Sequence, residues 1–207
     1  MNVYLVRHGE SEGNLKRFYQ KADIQLSSDG KKQSKLLTER LKSYLFDVVY
    51  ASPFLRARQT ADIVVKELKI PVEYLGGLRE RKRPSELEGL SVDNSKSIEI
   101  NSQIAKNWSS KSWKYSDEDN FEELRKRGQE VVNYLLEKHK GHNVLCISHG
   151  IIIKILVCVV IFGEKLNPEI FWEFNSHTLV ENTGITHLEF TEKHGWKVLG
   201  WNNTTHL

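Results

Sequence analysis

Little in this sequence can form a disulfide or span a membrane. Its 207 residues hold two cysteines, Cys146 and Cys158, and both fall in apolar segments. They read as buried hydrophobes rather than as a bridge or a metal pair, which suits a reducing compartment. The longest apolar run, Ile151 to Phe162, is broken by Lys154 and is well short of the ~20 residues that a membrane helix needs. It predicts a buried helix. The N-terminus lacks the basic stretch, apolar core and small-residue cleavage site of a secretory signal, so a cytoplasmic protein without a membrane partner is expected. A net charge of +3 demands no nucleic acid, and neither a binding motif nor a continuous basic stripe accompanies the cations. Repeats, low-complexity tracts and linkers are also missing. Neither the Walker-type phosphate loop nor the GxGxxG dinucleotide turn is present, so nucleotide-binding versions of an α/β sheet are not supported.

What is present is the balance of a globular protein, 39% hydrophobic and 28% charged, of a length that fits one domain spanning residues 1–207. Val3 to Val6 read as a buried strand that runs through Arg7 and His8 into a tight turn at Gly9. Ser11 to Gln25 predict a loop over the strand end. A helix entry follows at Leu26 to Gly30, with Leu36, Leu37, Leu41 and Leu45 at helical spacing. Asp47 to Ala51 predict a second strand, and Ser52-Pro53 the capped start of a helix carrying Arg56 in its first turn. Pro71 to Leu75 predict a third strand, before the charged loop Leu78 to Pro84. Ser91 to Asn120 read as an irregular insertion or lid containing Trp108, Trp113, Tyr115 and the acidic run Asp117 to Asp119. An amphipathic helix begins at Phe121, a fourth strand spans Asn143 to Ile147, and Ser148-His149-Gly150 lead into the apolar helix. Gly184 to Phe190 and Trp196 to Trp201 predict a hairpin at one edge. The alternation predicts a three-layer α/β/α sandwich around a mostly parallel sheet with an antiparallel edge.

In such a sheet the ends of strands one, two and four meet at one edge, where ligands bind. Arg7 and His8, Arg56, and His149 would then lie together. Two arginines and two histidines repel one another unless an anion sits among them, and two helix N-termini point at the same place. A divalent cation is disfavoured beside the arginines. The constellation therefore predicts a phosphate pocket in which a neutral imidazole attacks phosphorus and the arginines stabilise the transferring group.

Four segments carry a resemblance in the same order: Arg7-His8-Gly9-Glu10-Ser11-Glu12-Gly13-Asn14, Ser52-Pro53-Phe54-Leu55-Arg56-Ala57, Leu78-Arg79-Glu80 and Ser148-His149-Gly150. Together they resemble the histidine phosphatase superfamily, in the branch of phosphoglycerate mutases and related phosphatases. The likeness extends to Leu26 to Gln33 and to Asn182 to Thr186. It implies His8 as the nucleophile that becomes phosphohistidine, with Arg7, Arg56 and His149 holding the phosphoryl group. Glu80 would donate a proton to the leaving oxygen and later activate water. Asn14 and Arg17 would contact phosphate or substrate from the first loop. The family needs neither metal nor cofactor, and the expected partner is a small phosphorylated substrate.

The resemblance selects Arg56 over Arg58, which is two residues along the same helix and points elsewhere. Glu86 and Glu88 remain rivals to Glu80 for the acid. The flanking Arg79 and Arg81 would ordinarily favour an ionised carboxylate, whereas a general acid must hold its proton. Arg81 to Leu87 also lack a glycine common in the family before the Glu-Gly pair matched by Glu88-Gly89. His177 stands near the last strands as a minor candidate. The Arg79 to Arg83 run reads either as a solvated face or as recognition of a second anionic group. Two other functions compete with phosphomonoester hydrolysis: a phosphoglycerate mutase, and a phosphate-binding module without chemistry. Leu90 to His142 contain no Arg-Arg pair for a substrate carboxylate, which argues against the mutase. The sequence leaves monomer and homodimer open.

Overall fold

The computed structural model describes residues 1–110 and 112–207. Strand β1 (Asn2–Arg7) lies beside β4 (Asn143–Ser148), which pairs in turn with β2 (Val48–Ala51), and β2 with β3 (Val72–Tyr74). These four are parallel, with β5 (Ile185–Thr191) antiparallel to β1 and β6 (Gly195–Asn203) antiparallel to β5. The order is β3-β2-β4-β1-β5-β6. A mostly parallel sheet with an antiparallel hairpin at one edge is therefore the observed form.

Side-chain alternation in the strands feeds two cores. Val3 and Leu5 of β1 and Val144 and Cys146 of β4 face one of them, packed with α5 (Phe121–Lys138) and α6 (Gly150–Phe162). Tyr4, Val6, Leu145 and Ile147 face the other, packed with α2 (Ser28–Leu41) and α3 (Leu55–Leu68). Both faces of the sheet are covered, as the near-continuous apolar strands require. The remaining helices are α1 (Glu12–Leu15), α4 (Ser95–Lys106) and α7 (Pro168–His177). No helix is long and apolar enough to cross a membrane among the described residues.

Three local expectations are corrected. Helix α2 stops at Leu41, so Leu45 lies beyond it and is 86% exposed, while Leu37 and Leu41 make the buried stripe. The 91–120 segment contains a regular helix, α4, whose Asn94 side chain accepts from the Lys96 amide and whose Ile100 and Ile104 are buried. Helix α3 begins at Leu55 after an N-cap at Phe54, with no side-chain cap. Ser52 Oγ instead accepts from the amide of Phe54 itself at 3.3 Å, ahead of the helix, and makes a second contact within the site.

Candidate active site

Parallel register sets the site. Arg7 is paired with Ser148, and Ala51 with Ile147, so the chain leaves β1, β4 and β2 at one level of the sheet edge. His8, His149 and Ser52 follow immediately and become neighbours. The rings of His8 and His149 are 5.0 Å apart, edge to face. His8 is 3% exposed and His149 fully buried.

Hydrogen bonds define the tautomer of His8. Its Nδ1 lies 2.6 Å from the Gly9 carbonyl, an acceptor only, so Nδ1 carries the proton. Arg56 Nε, a donor only, lies 3.1 Å from Nε2, which must present its lone pair. Burial, followed by the charges of Arg56 and Arg7, holds His8 well below the usual histidine pKa. The imidazole is thus neutral at pH 7, with its free electron pair at Nε2. His149 is held well below the usual range too, first by burial and then by Arg56. Its Nε2 is 2.7 Å from Ser52 Oγ, the contact that replaces the expected helix cap.

The cations are firmly seated. Arg7 donates from Nη1 to the Val180 carbonyl at 2.6 Å, and Arg56 from Nη1 to the Lys21 carbonyl at 3.1 Å. Burial draws Arg56 down to about 10, which leaves it charged at neutral pH. Among the described residues, Arg7 Nε and His149 Nδ1 are buried without a hydrogen-bond partner in the protein. Such orphan groups beside two guanidiniums suit an anion.

Glu80 reaches the same place from the loop after a 3₁₀ turn at Gly76–Leu78. Its carboxylate accepts from the Arg81 amide at 2.8 Å and from the Ile151 amide, in the first turn of α6, at 3.4 Å. A cavity of about 420 Å³ opens here, with Arg7, His8, Asn14, Arg56 and Glu80 in its wall. Glu88 stands on the rim, exposed and 3.9 Å from Lys21 Nζ, and Glu86 is exposed outside the lining. Asn14 lines the cavity, its Oδ1 accepting from the Ser11 amide at 3.1 Å and the Ser11 hydroxyl at 2.8 Å.

Arg17 is outside the cavity lining. It sits at φ 54°, 69% exposed at the side chain, with Nη2 3.3 Å from Asp93 Oδ1. Arg58 is exposed and lies over Tyr74, and His177 is exposed beside Glu173. Trp108 is core, donating from Nε1 to the Pro168 carbonyl at 2.8 Å. Sequence reasoning missed Phe18, Tyr19, Gln20 and Phe54 in the wall, and the Asn182 side chain that donates to the His8 carbonyl at 2.8 Å. Asn182 stood in a matched segment but offered no chemical signal of its own. Among the described residues no group of three or more His, Cys, Asp or Glu side chains is arranged to hold a metal.

The family model described as the histidine phosphatase superfamily, branch 1, matches residues 3–204. The chain belongs to this superfamily. Among its relatives, the uncharacterized phosphatase PhoE of Bacillus subtilis (strain 168) is 28% identical over 206 residues, 99% of this chain and 96% of that protein. A 2,3-bisphosphoglycerate-dependent phosphoglycerate mutase of Nitrobacter winogradskyi is 31% identical over 181 residues, covering 81% of this chain and 83% of the mutase. Among solved structures, Bacillus stearothermophilus YhfR superposes with a TM-score of 0.84 at 25% identity, over 99% of this chain and 98% of that one. A mutant phosphoserine phosphatase of Entamoeba histolytica, in complex with phosphoserine, gives 0.80 at 25% identity over 100% of this chain and 98% of that one. Proteins described as phosphatases and as phosphoglycerate mutases both stand among these relatives.

Proposed function

We propose that the chain hydrolyses a phosphomonoester through a phosphohistidine on His8. The observation that carries this reading is the neutral His8, its Nε2 lone pair held against Arg56 at the wall of a cationic cavity. The phosphoryl group would lie among Arg7, Arg56 and His149, with Arg56 Nε turning from His8 to a phosphate oxygen as the ester arrives. His8 Nε2 then attacks phosphorus while the bond to the ester oxygen breaks, and the arginines meet the charge on the equatorial oxygens. Glu80 gives its proton to the departing oxygen. In the second half a water attacks the phosphohistidine, Glu80 takes its proton, and phosphate and neutral His8 are restored. Asn14 orients substrate at the mouth. Arg17, paired with Asp93 outside the lining, has no such role.

One chain supplies every group, so a monomeric single domain suffices. A cytoplasmic setting fits Cys146 and Cys158, whose thiols burial pushes up to about 12 and leaves unreactive. The test is His8→Ala assayed on a panel of phosphomonoesters. The variant should fold as the parent does, lose at least about 10⁴-fold in turnover, and no longer form an acid-labile phosphoenzyme. Near-parental activity would refute the mechanism. The mutase reading draws on the Nitrobacter relative. Incubation with a phosphoglycerate separates the two, free phosphate marking hydrolysis and isomer the mutase.

A further inference from the structure

The acidic run Asp117 to Asp119 finds its partners in the cationic run around Glu80. Residues 79–84 carry no helix or strand bonding of their own, so this loop must be held from outside. Asp117 accepts from the Ser85 amide at 2.9 Å and pairs with Lys82 Nζ at 2.7 Å. Glu118 pairs with Arg81 at 2.6 Å, both side chains being almost fully buried, and Arg81 lies over the ring of Trp108. Asp119 accepts from the Lys82 amide at 2.7 Å, and its own amide donates to the Lys82 carbonyl at 2.9 Å. The Asp119 carboxylate also accepts from Arg127 of α5 at 3.0 Å, which ties the turn to the body of the fold.

We infer that Asp117, Glu118 and Asp119 form a clamp that positions Glu80 for proton transfer. The inference rests on the reading of Glu80 as the acid. Arg81, whose amide holds the Glu80 carboxylate, is itself held by Glu118 and by the Asp119 carbonyl at 3.2 Å. The clamp touches none of Arg7, His8, Arg56 or His149. Buried charge pairs are poor sources of stability compared with apolar packing, but their directionality fixes geometry, and a 1 Å error in a reacting group can cost about 100-fold in rate.

The role predicts dependence on the leaving group. A p-nitrophenolate departs without a proton, whereas an alkoxide needs one, and kcat/KM reports the steps through His8 phosphorylation. In Asp119→Asn, kcat/KM for an alkyl phosphate should fall about 10- to 100-fold. For p-nitrophenyl phosphate it should fall less than about 3-fold, and vanadate inhibition should stay within about 2-fold of the parent. Asp119→Asn/Arg127→Gln, which leaves no buried charge alone, repeats the comparison if the single variant misfolds. Exposed Asp117→Asn should show the same selectivity at about 2- to 5-fold. Equal losses on both esters, loss of vanadate binding, or no loss in any folded variant overturns the clamp. Glu80→Gln separates the two ideas: if it lacks this selectivity the acid reading fails, and if it alone shows the selectivity only the clamp fails.

Discussion

Arg56 Nε donates to His8 Nε2 across 3.1 Å, so a guanidinium guards the nitrogen that would attack phosphorus. This contact is possible only while the ring is neutral at that position, and it works with burial to keep it so. The acid limb of kcat/KM should therefore lie well below pH 6.5, the ordinary histidine value. A pH profile of kcat/KM, corrected for the second ionisation of the substrate phosphate at about pH 6, checks this, and an enzyme limb at 6.5 would contradict it.

Stability should follow the same charge logic. His8 and His149 both have depressed native pKa values, so below about pH 6.5 the unfolded chain binds more protons than the native one. The stability from burying them neutral is fully present above that pH and is lost as pH falls toward their native values. The Tm should drop between pH 7 and pH 5, and His149→Asn should flatten the slope. Phosphate should raise Tm at every pH, because it binds the native state alone.

Arg56, in the cavity wall, and Arg17, outside it, should separate sharply. Arg56→Ala removes a buried donor facing the transferring group and should lower kcat/KM by about 10²- to 10³-fold. Arg17→Ala removes half of an exposed ion pair, and kcat/KM should change less than about 2-fold. Steady-state kinetics of the two variants side by side decides it.

What could be read from the chain divides along physical lines. Strands β1 and β4 were legible because their apolar runs end in Arg7-His8-Gly9 and Ser148-His149-Gly150, where composition changes abruptly. Helix α4 was not, because its exposed Ile98 and its buried Ser97 blur the apolar stripe. Lys154 read as a blemish in an apolar run, yet its ammonium is buried and donates to the carbonyls of Asn175 at 2.9 Å and Thr178 at 2.7 Å. Arg17 followed from the resemblance, but a positive φ and Asp93 carry it outward. The partners of Glu118 and Asp119 lie 37 or 38 positions away for Arg81, a separation at which local periodicity carries no signal.

Gly30 should be intolerant of any side chain. A Cβ there would stand 1.9 Å from the Glu10 carbonyl oxygen, backbone that itself accepts from the Ser27 amide at 2.9 Å. Helix α2 packs so closely on the turn after His8 that the turn would have to move. Gly30→Ala should cost about 1–3 kcal/mol, lowering Tm by roughly 2–10 °C, with a loss of kcat as His8 shifts. Gly76→Ala, where a Cβ meets nothing within 4 Å, is the control and should stay within about 0.5 kcal/mol. Thermal melts of both variants measure the contrast.

Arg83 is the cation of the charged loop that the acidic turn leaves over. Arg79, Arg81 and Lys82 each meet a carboxylate, whereas Arg83, among the described residues, meets none. Its Nη2 donates to Asn101 Oδ1 at 2.5 Å, and its guanidinium lies over Tyr19, which in turn accepts from Asn101 Nδ2 at 2.6 Å. Amide and phenol hold it in the cavity wall with its charge uncompensated. A substrate with a second anionic group would meet that charge equally in the ground state and the transition state, which lowers KM without raising kcat. Arg83→Ala should therefore raise KM about 10-fold for a doubly anionic ester such as a phosphoglycerate. The kcat for that ester, and both constants for a phosphate ester with a neutral tail, should stay within about 2-fold. An equal KM rise for both ester types would make Arg83 a wall residue with no part in recognition.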